Sequence, residues 1–320
     1  MTGAGGFIGS HMVDRLARAD ASVRAFVRYN SRNDYGWLDA LDPDVRDSVE
    51  IFRGDLANPE AAAGAVIGCD VVLHLGALIP IPYSYVHPRE FVAANVTGTI
   101  NVLEAARRAD LSRLVHISTS EVYGTAQTVP IAETHPLNAQ SPYAATKVGA
   151  DQLALSYVAA FETPIVIARP FNTFGPRQSS RAVIPSLITQ ALTRDQVDVG
   201  ATTPTRDFVF VEDTVEGMLA CADAPNVIGE VVNLGTGIEI SIGEVADRVV
   251  RIVGREIPIV TDEQRLRPGG SEVERLIADG EKARTLLNWS PRVDFDEGLS
   301  RTVDWLRTAV DRYKPSLYNV

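Results

Sequence analysis

In the first half of the chain, short apolar runs alternate with segments whose apolar residues recur three and four positions apart. Such runs predict buried strands, and the three-four spacing predicts helices between them. The strands are predicted at Val23–Val27, Val49–Phe52, Val71–Leu75, Leu114–Ser118 and Ile165–Arg169. The helices are predicted at Ser10–Ala19, Pro59–Val66, Pro88–Arg108 and Tyr143–Ala160. Because these strands are apolar on both faces, the pattern predicts an α/β fold with a doubly wound parallel sheet covered by helices.

Beyond about Asn172 the pattern loosens, and Pro- and Gly-rich loops separate shorter elements. Strands are predicted at Val197–Val199, Phe208–Val211 and Val231–Leu234, and helices at Ile184–Leu192, Ile242–Val253 and Glu281–Leu287. The change predicts one domain over 1–171 and a smaller C-terminal α/β lobe over 172–320, interleaved with the last strands of the main sheet.

Composition narrows the class of protein. The 320 residues are 45% hydrophobic and 22% charged, as in soluble globular proteins. The net charge of −11 leaves no basic stripe for a nucleic-acid partner. Cys69 and Cys221 are isolated, so we expect neither a disulfide framework nor a metal site. We expect no membrane partner, because the longest apolar runs are too short, and the lack of a signal-peptide pattern predicts a cytoplasmic protein.

A glycine-rich turn stands at the start of the chain, in Gly3-Ala-Gly-Gly6-Phe-Ile-Gly9. Glycines at this spacing before a helix allow a tight turn and close approach to a pyrophosphate, which the helix N-terminus attracts. The turn predicts a Rossmann dinucleotide site that includes Gly3, Gly6, Phe7, Ile8 and Gly9. Such a turn normally follows a buried strand, so we expect a few native residues to precede Met1.

Further cofactor positions are predicted where other strands end. Asp55 and Leu56 are candidates for the adenine edge, and the small residues of Leu75-Gly76-Ala77 leave room for the cofactor. NAD binders usually carry an acid after the second strand, and this chain has Arg28, Asn30 and Ser31 there instead. Arginine and serine suit a 2′-phosphate, so both NAD and NADP stay open at this point.

Two motifs carry candidate chemistry. Tyr143 and Lys147 lie one turn apart on a predicted helix, and Thr119, Ser120 and Glu121 follow a predicted strand. A lysine ammonium near a phenol lowers the phenol's pKa, so a tyrosinate can take a proton from a substrate hydroxyl.

With these motifs the chain resembles an extended short-chain dehydrogenase/reductase of the nucleotide-sugar epimerase/dehydratase group, over nearly its whole length. The resemblance implies a Rossmann domain that holds NAD(P), with NAD favoured over NADP, and a nucleotide-sugar lobe. It also implies a homodimer formed through helices near Pro88–Arg108 and Tyr143–Ala160. Tyr143, Lys147 and Thr119 would then oxidise C4 of the sugar.

The step after C4 oxidation depends on Glu121. A 4,6-dehydratase needs a base for the C5 proton and an acid for the C6 hydroxyl. Many relatives carry Asp-Glu after the threonine, whereas this chain carries Ser120-Glu121, so Glu121 would serve as both base and proton donor. The same Thr-Ser-Glu string occurs in UDP-glucuronate decarboxylases, and a 4-epimerase needs only Tyr143 and Lys147. A non-catalytic redox sensor is the alternative from another class.

Several stretches resemble the N-acetylglucosamine 4,6-dehydratases of the legionaminic-acid pathway type, which act on UDP- or GDP-linked N-acetylglucosamine. These stretches are Tyr29-Asn30-Ser31, Trp37-Leu38-Asp39, Ile81–Tyr85 and Thr261–Pro268. They favour dehydration, with the 5,6-dehydration variant left open. The resemblance further implies that the substrate is held by Tyr83, Asn172, Arg181, Arg206 and Arg267. Arginine's planar fork suits the diphosphate of such a substrate.

Overall fold

The structure is a computed structural model, which describes residues 1–313. It contains twelve α-helices within these residues. They are α1 Phe7–Ala17, α2 Pro43–Asp47, α3 Pro59–Val66, α4 Ile81–Val86, α5 Pro88–Phe91, α6 Gly98–Arg108, α7 Pro142–Phe161, α8 Val183–Thr193, α9 Val211–Asp223, α10 Ile242–Val253, α11 Glu281–Leu287 and α12 Phe295–Ala309. No helix among these residues is both long and apolar enough to cross a membrane.

The same residues form thirteen strands. They are β1 Arg24–Arg28, β2 Glu50–Gly54, β3 Val71–His74, β4 Arg113–Ile117, β5 Ile165–Pro170, β6 Asn172–Phe174, β7 Val197–Val199, β8 Thr205–Arg206, β9 Phe208–Phe210, β10 Val231–Leu234, β11 Ile240–Ser241, β12 Ile259–Thr261 and β13 Arg275–Leu276.

The central sheet is parallel throughout, which confirms the predicted Rossmann-type α/β fold. β1 pairs with β2, and β3, β4, β5 and β10 form a run in the order β10-β5-β4-β3. Thr2 lies between the two groups and bridges Phe26 of β1 and His74 of β3. Its amide donates to the Leu73 carbonyl at 3.0 Å, and the Met1 carbonyl accepts from the Phe26 amide at 2.8 Å. The sheet is therefore continuous from β2 to β10.

The second lobe is built from short strands and the helices α8, α10 and α12. β6 pairs with β9, β12 with β7, and β8 lies between β11 and β13. The chain returns to the central sheet in between, because α9 packs on β4 and β5 and β10 pairs with β5. The domain boundary at 171/172 stays a prediction.

The segment predicted as one helix over Pro88–Arg108 is interrupted. Helix α5 leads into a π-helical turn over Val92–Thr97, and α6 follows. The buried Asn95 lies in this turn, where its Oδ1 accepts from the Leu78 amide at 2.7 Å. Its Nδ2 donates to the Leu78 carbonyl at 2.9 Å and to Thr146 Oγ1 at 3.1 Å. The wider turn thus places one amide side chain between α7 and the loop after β3.

Candidate active site

A cleft of about 1440 Å³ lies between the carboxyl ends of the central strands and the second lobe. In parallel α/β sheets this edge is where ligands bind. Most of the predicted site residues line the cleft. They are Gly3, Gly6, Phe7, Ile8, Gly9, Arg28, Asn30, Asp55, Leu56, Leu75, Gly76, Ala77, Thr119, Ser120, Glu121, Tyr143, Lys147, Asn172, Arg181, Arg206 and Arg267.

Two predicted residues do not lie on the cleft wall. Ser31 is exposed on a turn, and Tyr83 on α4 donates its hydroxyl to Glu90 Oε2 at 2.9 Å. Tyr85, two residues on, lines the cleft instead and is hydrogen bonded to Ser271 Oγ at 2.6 Å. The reason is geometric, because residues two apart on a helix point in different directions.

The glycine-rich turn has the shape that a pyrophosphate requires. Gly3 adopts a φ of +69°, and a Cβ on Gly9 would lie 2.1 Å from the Gly3 carbonyl oxygen. Helix α1 begins at Phe7 after Gly6, which has no side chain to cap the first amides. The N-terminal amides of a helix attract an anion, so this end of the cleft fits the diphosphate of a dinucleotide.

The loop after β1 also lines the part of the cleft where the cofactor is expected. Arg28 Nε lies 3.6 Å from Asp55 Oδ2. Asn30 shapes the loop, since its side chain donates to the Asp34 carbonyl at 2.7 Å and accepts from the Arg32 amide at 3.1 Å. The loop brings Asp34 to the cleft wall. The prediction missed this carboxylate because it stands several residues beyond the strand end.

Tyr143 and Lys147 lie in the first turns of α7, and both are buried. Pro142 and the Ser141 side chain, which accepts from the Ala144 amide at 3.1 Å, start this helix at the cleft. Burial raises the pKa of Tyr143 well above its usual value, and its hydrogen bond with Thr119 offsets only part of this rise, so the lowering expected from a neighbouring lysine is not found. Burial lowers the pKa of Lys147 to about 8.

The contacts of Lys147 differ in one respect from a direct Tyr–Lys pair. Its Nζ donates to the Ile117 carbonyl at 2.7 Å, at the end of β4. Thr119, two residues further, is the hydrogen-bond partner of the Tyr143 phenol. The lysine charge is therefore anchored to the strand that carries the threonine.

Glu121 enters the cleft from a 3-10 turn over Ser120–Tyr123. Thr119 caps this turn, because its Oγ1 accepts from the Glu121 amide at 3.2 Å. Glu121 is only 8% exposed, and its negative charge raises the pKa of both Tyr143 and Arg206. The carboxylate thus stands between Tyr143 and Arg206, which belongs to the second lobe.

The substrate side contains a carboxylate shared by arginines. Arg206 is buried, and burial lowers the pKa of its guanidinium. Glu272 Oε1 lies 3.5 Å from Arg206 Nη2 and 3.8 Å from Arg267 Nη1. Asn172 begins β6, and its buried Oδ1 has no hydrogen-bond partner within the described residues. Arg181 is exposed at the rim, with its Nε on Ser179 Oγ at 3.3 Å.

Glu272 was not among the predicted site residues, although the sequence carries a signal for it. It follows Arg267-Pro268 within a glycine-containing loop, so a carboxylate at this spacing can reach back to the arginine. A prediction that looks only for cations around a diphosphate overlooks it.

The fold and the cleft define a class of protein. A parallel sheet with a glycine-rich turn at α1, and a buried tyrosine and lysine on α7, form a Rossmann-type enzyme site for a nucleotide cofactor and a second ligand. Arg206 and Arg267 line the part of the cleft nearest the second lobe, where their guanidinium groups suit an anionic group.

Comparisons with known proteins give the family. The family model described as GDP-mannose 4,6 dehydratase matches residues 1–302. The chain is 36% identical over 320 residues to the dTDP-glucose 4,6-dehydratase of Actinoplanes sp., covering 96% of this chain and 97% of that protein. The chain therefore belongs to the nucleotide-sugar dehydratase and epimerase family of extended short-chain dehydrogenases/reductases.

Solved structures agree with this assignment. The UDP-glucuronic acid 4-epimerase of Bacillus cereus, in complex with UDP-glucuronic acid and NAD, is 30% identical with a TM-score of 0.87, covering 96% of this chain and 98% of that one. A dTDP-glucose 4,6-dehydratase mutant of Streptomyces venezuelae with NAD bound is 29% identical with a TM-score of 0.85, covering 98% of each chain. Both hold NAD, in agreement with the predicted dinucleotide cofactor. The legionaminic-acid subtype stays a prediction.

Proposed function

We propose that the protein is an NAD-dependent nucleotide-sugar 4,6-dehydratase that converts UDP- or GDP-N-acetylglucosamine to the 4-keto-6-deoxy sugar. The observation that carries the proposal is the position of Glu121. C4 oxidation and epimerisation require the phenol and its partners, whereas elimination of water also requires a base and an acid. Glu121 supplies a carboxylate in the cleft wall beside Thr119 and Tyr143.

NAD fits the residues of this cleft. The turn from Gly3 to Gly9 and the uncapped start of α1 would hold the pyrophosphate, and Asp34 or Asp55 would face the adenosine. A nicotinamide cofactor bound there would accept a hydride from C4 of the sugar and return one to C6, while C5 would take a proton derived from solvent. NADP stays the alternative because Arg28 and Arg32 line the same end of the cleft.

In the oxidation step the Tyr143 oxygen takes the proton of the C4 hydroxyl. Thr119 hydrogen bonds to the phenol, and such a bond stabilises the charged form. The Lys147 ammonium, held by the Ile117 carbonyl, supplies positive charge at the same wall. The product of this step is a 4-ketone, which makes the C5 proton acidic.

In the elimination step Glu121 takes the C5 proton. The electron pair of that C–H bond forms the C5–C6 double bond, and the C6–O bond breaks. The Glu121 carboxyl then gives its proton to the departing oxygen, so that water leaves and the carboxylate is restored. Ser120 is 3% exposed next to Glu121 and replaces the second acid of many relatives, so one carboxyl performs both proton transfers.

The second lobe would hold the diphosphate through Arg206 and Arg267, with Asn172 beside them. Arginine donates two parallel hydrogen bonds to phosphate oxygens, which fixes the sugar against the catalytic wall. The assembly proposed for the enzyme is a homodimer formed through the α5–α6 segment and α7.

The test is incubation of the NAD-loaded enzyme with UDP- and GDP-N-acetylglucosamine in deuterated water. We expect a product lighter by one water that carries solvent deuterium at C5, seen by mass spectrometry and NMR. Release of CO2 from UDP-glucuronate without any reaction on hexosamines would overturn the proposal in favour of decarboxylation. Absence of turnover on all nucleotide sugars, with NAD still bound, would favour the redox sensor.

A 4-epimerase is the second candidate, because the Bacillus cereus 4-epimerase shares the fold at a TM-score of 0.87. The same incubation separates the two reactions. An epimerase gives a product of unchanged mass with inverted C4 and no deuterium at C5.

A further inference from the structure

Asp151 is a buried carboxylate outside the predicted site. It lies on α7, one turn beyond Lys147 and two turns beyond Tyr143, on the same face of the helix. It is 0% exposed. A carboxylate without contact to water is stable in its charged form only when it is paired and hydrogen bonded, so its partners define what it does.

Its partners come from both strands next to α7. Ser118 Oγ donates to Oδ2 at 2.8 Å, and His116 Nε2 lies 3.2 Å from Oδ1. Arg169 donates to Oδ2 through Nε at 3.1 Å and through Nη2 at 2.9 Å. The carboxylate therefore joins α7 to the ends of β4 and β5.

Each of these partners lies in a segment that leads into a part of the site. His116 and Ser118 flank Ile117, whose carbonyl accepts from Lys147, and Thr119 follows. Arg169 is the last residue but one of β5 and lies three residues before Asn172. One buried group thus fixes the three segments that carry the oxidising pair, the threonine and glutamate, and the substrate asparagine.

We propose that Asp151 is a positioning residue for C4 oxidation, which holds these three segments together and balances the charge of Lys147. The inference rests on the C4 oxidation in the proposed function and not on the dehydration that follows it. It assigns to Asp151 no contact with the substrate.

The charge of Asp151 acts on four titratable groups, which are Tyr143 and Lys147 on α7, His116 on β4 and Arg169 on β5. His74 on β3 faces the same cluster through His116 and Lys147, whose charges lower its pKa further after burial has lowered it. Burial raises the pKa of Asp151, but His116, Arg169 and Lys147 together lower it below its usual value, so it is ionised at neutral pH. In turn, its negative charge raises the pKa of Tyr143 and of Lys147.

The deciding variant is Asp151→Asn. Removing one negative charge lowers the pKa of both Tyr143 and Lys147, so the whole pH profile of C4 oxidation should move to lower pH by ~1 unit. The measurement is single-turnover formation of the reduced cofactor, followed by its absorbance across pH. A folded variant whose profile does not move would overturn the proposal.

The control is Asp213→Asn, which removes another buried carboxylate remote from the cleft. Asp213 lies on α9 and accepts from the Val293 amide at 2.9 Å. This variant should lose stability without moving the pH profile. A similar shift in it would mean that the effect of Asp151→Asn is unspecific, and the proposal would fail.

If Asp151→Asn does not fold, Ser118→Ala decides. It removes one hydrogen bond to the carboxylate and leaves every charge in place. We expect kcat to fall ~5- to 10-fold with the pH profile unmoved. An unchanged kcat would contradict the positioning role.

The inference and the proposed function fail in different ways. If the wild-type enzyme oxidises C4 but loses no water, only the dehydration is wrong, and the pH profile still tests Asp151. A measurement without substrate is also available, namely an NMR titration of the Lys147 ammonium in the NAD-loaded protein, with Lys147→Met to assign the signal. The pKa of Lys147 is about 8 and is raised by the charge of Asp151, so it should be lower in Asp151→Asn, and an equal or higher value would overturn the proposal.

Discussion

The proposed dehydration requires the carboxylate of Glu121, whereas C4 oxidation alone does not. In Glu121→Gln we expect C4 oxidation to survive and water loss to fall by ~10²-fold or more, because the amide cannot take the C5 proton. Rapid mixing should show reduced cofactor that accumulates and is not consumed. In the control Ser120→Ala the carboxylate remains, so the 4-keto-6-deoxy product should still form. Normal product formation by Glu121→Gln would assign the base to another residue.

The burial of Lys147 costs stability. Its pKa is about 8 in the folded protein and 10.5 when unperturbed, so the unfolded chain binds more protons between these values. The penalty of burying the ammonium is therefore complete below pH 8 and disappears as the pH rises to 10.5. Lys147→Met should raise the free energy of unfolding by about 2 kcal/mol at pH 7, with little gain at pH 10.5, while abolishing C4 oxidation.

Urea denaturation of Lys147→Met at the two pH values checks this expectation. The control is Lys282→Met, because Lys282 is a lysine near the surface whose Nζ lies 2.6 Å from Glu230 Oε2. Its substitution should change the stability little at either pH. Equal stability of Lys147→Met and the wild type at pH 7 would show that Asp151 and the Ile117 carbonyl fully compensate for the buried charge.

At the same scale, the site could be predicted from the sequence only where a motif defines the position of a side chain. The glycine turn, Thr119, Glu121 and the Tyr143/Lys147 spacing identify residues that line the cleft. Tyr83 and Tyr85 stand on one short helix, and only the packing of that helix decides which of them faces the cleft. Asp151 escaped prediction because its partners are distant in sequence and meet it only in the folded chain.

Among the elements, the π-helical turn before α6 depends on one side chain. Asn95 makes three hydrogen bonds there, two of them to the backbone of Leu78. Asn95→Ala would leave the amide and carbonyl of the half-buried Leu78 without the Asn95 side chain, which should lower the free energy of unfolding by about 2 kcal/mol. Thermal or urea denaturation measures the loss.

The control for this element is Asn101→Ala on α6. Asn101 Nδ2 makes one hydrogen bond to the Leu56 carbonyl, at 2.8 Å. Its loss should cost about 1 kcal/mol. Equal costs for the two variants would mean that Asn95 does not hold the wider turn in place.

The elements of the central sheet could be predicted well, because strands buried on both faces appear as continuous apolar runs. The helices were harder. Helix α4 begins with Ile81-Pro82 in a proline-containing stretch that indicates a loop. Helices α9 and α12 were not among the predicted elements. α12 nevertheless carries the signals of a helix, with Asp294 capping the Glu297 amide and Leu299, Val303 and Leu306 on one buried face.

At the scale of the whole molecule, the cleft is bridged by the loop that carries Arg267 and Glu272. The Tyr85 hydroxyl is bonded to Ser271 Oγ at 2.6 Å, and Ser271 donates to the Gln140 carbonyl at 2.6 Å. These bonds fasten a loop of the second lobe to the cofactor domain. Tyr85→Phe should therefore raise the KM for the nucleotide sugar ~3- to 10-fold and leave the Kd of NAD unchanged.

Tyr83→Phe is the matched control, because the Tyr83 hydroxyl on the same helix donates to Glu90 and not to the loop of the second lobe. It should leave both constants as in the wild type. Steady-state kinetics and NAD titration by fluorescence give the two values. A KM that rises equally in both variants would point to a disturbed helix and not to a lost connection between the lobes.

The position of the Glu272 carboxylate between Arg206 and Arg267 affects how strongly the binding of the proposed substrate depends on ionic strength. Glu272 lies 3.5 Å and 3.8 Å from the two guanidinium groups, and the charges of Glu121 and Glu274 also act on Arg206, within a protein of net charge −11. The diphosphate of the proposed substrate would therefore meet cations that are already largely neutralised, and long-range attraction would contribute little to its arrival. Salt in the medium should then weaken binding only slightly, and the geometry of the guanidinium forks would select the substrate.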